Sequence, residues 1–140
     1  MKKTATIISI IILFAYTGCK AQSYATVEDA AVSAAKAWLD QVDGENYGES
    51  WDEAAEFFKG AVTRNNWIKA MQTVRKPLGK TLSRELISSS YQTTLPGAPD
   101  GEYVVIQFKT AFENNNSTTE TITPALEGDG KWRTSGYFIK

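Results

Sequence analysis

The sequence predicts an α+β domain in which three helices precede a four-stranded antiparallel sheet. Two observations carry this. Apolar residues recur every three or four positions as far as Arg75, and after Lys80 the chain turns to Ser, Thr and β-branched residues in alternating runs. Helices and strands are therefore segregated, unlike the alternation that builds a parallel βαβ sheet. At 140 residues with 42% hydrophobic side chains, the chain is long and apolar enough for one core, not two. The tryptophans Trp38, Trp51, Trp67 and Trp132 are spread so that each major region brings one large apolar unit to that core.

The N-terminus stands apart from the fold. Met1-Lys2-Lys3 is a positive start, and "IISIIILFAY" over residues 7–16 is an uncharged run of signal-peptide length, too short to span a bilayer as a helix. Two processing sites overlap after it. Thr17-Gly18-Cys19 resembles the lipobox of bacterial lipoproteins, in which the cysteine is acylated, although Tyr16 stands where leucine is preferred. Cutting after Ala21 instead leaves small residues, Ala21 and Cys19, at the positions an ordinary signal peptidase reads. The rarity of a Gly-Cys pair at this point favours lipidation at Cys19. The expected organisation is an export signal over residues 1–21, a short tether over 22–28 and a single α+β domain over 29–140.

From Thr26 to Val42 the positions Val27, Ala31, Ala34, Ala35, Trp38, Leu39 and Val42 form one helical stripe, with Thr26 as its cap and Gly44 as its stop. A second helix is expected around Trp51, Ala54, Ala55 and Phe58, capped by Asn46 or Ser50 and closed by Gly60. The third runs from about Arg64 to Arg75 on the stripe Trp67, Ala70, Met71 and Val74, and Pro77 with Gly79 ends it. "TLSRELISSSYQT" reads as the first strand, and Pro99-Asp100-Gly101 as a tight turn. In "EYVVIQFKTAF", Val104, Ile106, Phe108 and Phe112 face one way and Tyr103, Val105, Gln107 and Lys109 the other. "TTETITPALE" and "KWRTSGYFIK" complete the sheet, turned by Gly128-Asp129-Gly130; Pro124, having no amide donor, puts the third strand at an edge or at a bend.

Past Ala21 the chain contains no cysteine and no histidine. That excludes disulfides, cysteine nucleophiles, histidine bases and the usual zinc ligand sets. Nor does the sequence carry an EF-hand spacing, a phosphate-binding glycine loop or a nucleophile elbow, so no metal, cofactor or catalytic set is expected. The formal charge of −1 becomes −4 when Lys2, Lys3 and Lys20 are removed, which argues against nucleic acid as a partner. Charge is unevenly distributed: nine acids lie between Glu28 and Glu56 with Lys36 the sole base, and seven bases with no acid lie between Lys59 and Arg84. Opposed helices of opposite sign would attract, and Lys69, Arg75 and Lys76 are the basic residues expected to dock a partner.

Four motifs in order, "AWLDQVDGENYGESWDEA", "WIKAMQTVRKPLGKTLSRELISSSY", "TLPGAPDGEYVVIQFKTAF" and "GKWRTSGYFIK", resemble a bacterial domain-of-unknown-function family, number 4019 in its series. The resemblance covers about Ala30 to Lys140 and implies an exported, periplasmic or envelope protein with no assigned activity. The order of helices then sheet also resembles the nuclear-transport-factor-2-like, or cystatin-like, α+β cone. It implies a curved sheet with helices packed on it and a pocket at the open end, a superfold that hosts both enzymes and binding domains.

The functional expectation is a non-catalytic binding or interaction module for a small apolar ligand, a peptide or an envelope protein, reaching the membrane only through a lipid on Cys19. Trp51, Trp67, Tyr91 and Tyr103 are the candidate pocket or contact residues. The alternative is a cone-fold enzyme using a pocket carboxylate with a tyrosine or arginine. Arg84 and Glu85 adjoin in a strand and so face opposite ways; Asp52 is expected at a helix N-terminus, and Glu120 on a solvated sheet face.

Overall fold

The computed structural model describes the backbone of residues 21–140 and the side chains from Thr26 onward. The expected export signal up to Lys20, Cys19 included, lies outside the described residues. Four helices, α1 (Ala21–Asp43), α2 (Tyr47–Asp52), α3 (Glu56–Ala61) and α4 (Arg64–Val74), precede four strands, β1 (Thr81–Gln92), β2 (Tyr103–Phe112), β3 (Asn115–Leu126) and β4 (Trp132–Ile139). The α+β class and the antiparallel sheet agree with the sequence reading. The strands pair in the order β1-β2-β3-β4, so the sheet is an open meander rather than a closed barrel.

The stripe on α1 does what its spacing predicts. Ala31, Ala35, Trp38, Leu39 and Val42 are buried and share a core with Val104, Ile106, Phe108 and Ile122 of β2 and β3. The helix crosses the inner face and touches all four strands. Each Leu- or Ile-sized side chain buried there contributes roughly 1.5–3 kcal/mol, which makes the α1–sheet interface the main source of cohesion. In the same core Trp38 of α1, Phe58 of α3, Trp67 of α4 and Tyr137 of β4 form an aromatic cluster, with Phe58 and Trp67 edge to face at 4.9 Å and Trp38 and Tyr137 at 5.4 Å. Their polar atoms are satisfied locally: Trp38 Nε1 donates to the Ser50 carbonyl at 2.7 Å, and Trp67 Nε1 to Ser50 Oγ at 2.9 Å.

Several expectations need correction. The helix around Trp51 and Phe58 is two helices, because the chain breaks at Ala54-Ala55 to bury both alanines and to donate the Ala55 amide to the Thr134 carbonyl of β4. Asp52 is consequently the last residue of α2, where it binds Arg64 through two 3.0 Å hydrogen bonds, and not a residue at a helix start. Helix α1 begins at Ala21, ahead of the expected cap at Thr26, so residues 22–28 are helical. The tight turn of the β1–β2 loop falls at Pro96-Gly97, where Gly97 has a positive φ, rather than at Pro99-Asp100-Gly101. Strand β3 lies inside the sheet, between β2 and β4, and the missing amide of Pro124 is accommodated at a register shift against β4.

Register places the side chains. Arg84 pairs with Thr110, Phe108 with Glu120, and Ile122 with Tyr137, so Arg84, Thr110, Glu120 and Tyr137 share the inner face with the core. Strand β1 carries two bulges, with Leu82 and Ile87 the unpaired residues, 65% and 55% exposed. Near its C-terminal end Glu28 of α1 clamps the edge, accepting from Ser89 Oγ and from the Tyr91 amide.

Candidate functional site

The sheet and α1 bring an ionic cluster together at the end of the core away from Trp132. Arg84 is its centre. Its guanidinium donates from Nη1 and Nη2 to Asp43 at 2.7 and 3.0 Å, and from Nε and Nη2 to Glu120 at 2.8 and 3.3 Å. A planar fork with two usable edges can hold two carboxylates in this way; an ammonium cannot. Glu120 is fully buried and also accepts from Thr110 Oγ1 at 2.5 Å and from the Tyr137 phenol, which fills the four acceptor positions of a carboxylate. Asp43 accepts four hydrogen bonds, three on Oδ1 from Arg84 Nη2, Thr81 Oγ1 and Arg75 Nη2 and one on Oδ2 from Arg84 Nη1. Arg75 is 3% exposed, stacks on the Phe112 ring at 4.3 Å and donates to the Gly79 carbonyl at 2.6 Å.

The electrostatics follow from these contacts. Burial alone would raise the Asp43 pKa, but the hydrogen bonds and charge of Arg84, helped by Thr81 and Arg75, more than offset it and hold Asp43 below its ordinary value. Burial also works against the Arg84 charge, yet Asp43 and Glu120 raise its pKa above the usual guanidinium value. Burial and the neighbouring Glu120 carboxylate push the Tyr137 phenol well above its usual range, so it stays a donor. Two carboxylates, two guanidiniums and a neutral phenol leave no net charge and no vacant acceptor on Glu120. The cluster resembles an acid–tyrosine–arginine site in composition and a staple in geometry.

Glu120 is therefore not on a solvated face. It sits on the parity of Ile122 and Pro124, both buried, and the alternation alone was the signal that it points inward. Arg75, expected as a docking residue, is instead inside the cluster, and of its two basic neighbours in that expectation Lys76 pairs with Glu45 at 3.6 Å. The opposed charges of the helical region do meet, through Asp43–Arg75, Glu45–Lys76 and Asp52–Arg64.

The four candidate contact residues are dispersed. Trp67 is buried in the aromatic cluster, while Trp51 is half-buried, donates to the Val62 carbonyl at 2.7 Å and lies under Lys59. Tyr91, on the inner face near the β1 edge, donates to Glu102, and Tyr103, on the outer face, donates to the Pro99 carbonyl at 2.5 Å. They do not line one pocket.

A groove of about 480 Å³ opens instead between α1 and the start of β4. Ala34 and Ala37, three residues apart on α1, line it together with Trp38 and Trp132. Glu53, Lys131 and Thr134 complete the lining, together with Asp52 and Arg133, which are committed to Arg64 and to Glu127 and Asp129. The hydrogen bonds of Arg133 and the Lys131 amide lower Asp129 to about 2, so that rim pair is fixed across the working pH range. The volume is that of a small-ligand site. Among the described residues no group of acids is placed to hold a metal ion, and no helix is long and apolar enough to cross a membrane.

Comparison with protein families matches residues 34–137 to the family described as Protein of unknown function (DUF4019). The match spans both the ionic cluster, from Asp43 to Tyr137, and the groove. No curated protein matches the chain.

Proposed function

The chain belongs to the DUF4019 family, whose description names no activity, and from its geometry we propose a non-catalytic binding module that takes a small ligand or a peptide side chain in the groove between α1 and β4. One observation carries this reading: the buried Glu120 carboxylate is fully occupied by Arg84, Thr110 and Tyr137, whereas the Trp132 groove combines apolar lining with polar groups. A cone-fold enzyme is the second reading, favoured by the meeting of Glu120, Arg84 and Tyr137. It is the weaker one because a base or acid needs a free position within reach of a substrate, and the Glu120 positions are occupied.

The same proposal puts the domain outside the bacterial cytoplasm, in the periplasm or on the envelope, on the strength of the basic start, the apolar run over 7–16 and the Gly18-Cys19 pair. The binding reading is tested by thermal shift with a panel of small aromatic and amphiphilic compounds. A ligand of the native state raises Tm, by an amount set by its concentration relative to Kd. The reading predicts hits that vanish in W132A. Hits that persist in W132A, or none at all, would count against the groove.

A further inference from the structure

The groove has a polarity that its apolar lining does not explain. Glu53 and Lys131 both line it, both are exposed, and among the described residues neither side chain makes an ion pair or hydrogen bond. Lys131 does contribute a through-space attraction to Asp129, but Arg133 holds that carboxylate at 2.7 Å. The other charged residues of the rim, Asp52 and Arg133, are paired. Ala34, Ala37 and Trp132 line the groove with these two charges, and so does Thr134, 2% exposed, whose hydroxyl is buried without a hydrogen-bond partner. Buried hydroxyls are almost always satisfied; those of Thr134 and Tyr47 are closed to solvent and unpaired, and an occupant of this groove reaches the Thr134 hydroxyl by displacing the thin wall over it.

We infer that the groove recognises a short peptide with free termini: its ammonium at Glu53, its carboxylate at Lys131, an apolar side chain against Trp132 and the alanines, and a backbone amide group at the Thr134 hydroxyl. The inference rests on the binding-module reading and adds the occupant. Charge complementarity selects it. An apolar ligand leaves both rim charges and the hydroxyl unused, and a purely anionic or cationic one meets a like charge at one end. Flat contact between an aromatic ring and small residues suits one bulky side chain, and the free termini set direction.

The test uses the mature chain and the tripeptide Ala-Phe-Ala, measured by isothermal titration calorimetry. The expected result is one-site binding that weakens about tenfold on N-acetylation and about tenfold on C-amidation, as for the loss of one hydrogen-bonded charge each. E53Q should erase the acetylation effect and K131M the amidation effect, because each variant removes the partner that sensed the change. T134V separates ligand contact from structure: replacing an unsatisfied buried hydroxyl by a methyl should leave Tm unchanged or higher while the tripeptide binds more weakly. Binding that is indifferent to E53Q, K131M and end-blocking overturns the inference. So does absence of tripeptide binding where neutral aromatic compounds still shift Tm in a Trp132-dependent way, an outcome that leaves the binding-module reading standing. If neither peptide nor neutral compound engages the groove, both fall.

Discussion

Replacing Arg84 with methionine removes one cation from two carboxylates at once. Glu120, fully buried, would retain only Thr110 and Tyr137, and Asp43 only Thr81 and Arg75. Arg84 itself is only 12% exposed, so solvent screens little of the loss. Breaking a buried pair by removing one member costs about 3–5 kcal/mol, a large part of the roughly 5–15 kcal/mol that holds a domain together. With a urea dependence of about 2 kcal/mol per molar, the denaturation midpoint should fall by about 2 M. Adding E120Q to R84M removes the stranded charge and should restore part of that loss, giving a coupling of about 1–3 kcal/mol between the two sites. The pH dependence carries a second signature. Because Asp43 is held below its unfolded pKa, its contribution is complete above that unfolded value, near 4, and is lost as pH falls through the folded one. In R84M the largest stabilising partner of that carboxylate is gone, so the acid limb of the stability curve should be shallower. An R84M midpoint within about 0.5 M of the parent, or a double variant no more stable than R84M, would refute the staple.

Three further outcomes follow from single contacts. S50A leaves the buried Trp67 indole N–H without an acceptor and should cost about 1–3 kcal/mol in urea denaturation; a neutral variant would mean the bond is dispensable. Gly79 has φ 78° and ψ −159°, a backbone region all but closed to side chains, and its carbonyl anchors Arg75; G79A should cost about 1–3 kcal/mol by the same assay, and an unchanged midpoint would show that the turn relaxes freely. C19A should move the protein from the membrane to the soluble fraction and lower its N-terminal mass, whereas unchanged fractionation and mass would support processing after Ala21.

What was legible in the sequence is what depends on local period. The α1 stripe and the alternation of β2 read directly, because 3.6- and 2-residue periods map onto one buried face each. The break at Ala54-Ala55 was not legible, since no glycine or proline marks it and its cause, an amide bonded to β4, lies far along the chain. The ionic cluster was half legible. Parity put Glu120 inside, but a lone carboxylate in a strand reads as solvated until its cation is known, and Arg84 is 36 residues away. Likewise, Lys131 and Glu53 look like ordinary surface charges in sequence; only the pairing of every neighbour around them sets them apart.

Strand β1 leaves Leu82, Leu86 and Ile87 in contact with water along a sheet edge, a composition that invites another chain to add on. Its two bulges work against that. A strand laid alongside needs donors and acceptors that keep step, and Leu82 and Ile87 each throw the count out by one, while Glu28 already occupies the Tyr91 amide. The guard against polymerisation is thus written in backbone phase rather than in charge, which frees the side chains of this edge to be greasy. Deleting Ile87 should bring the two halves of the edge into phase, and its cost should appear as association in light scattering, at a protein concentration where the parent stays dispersed.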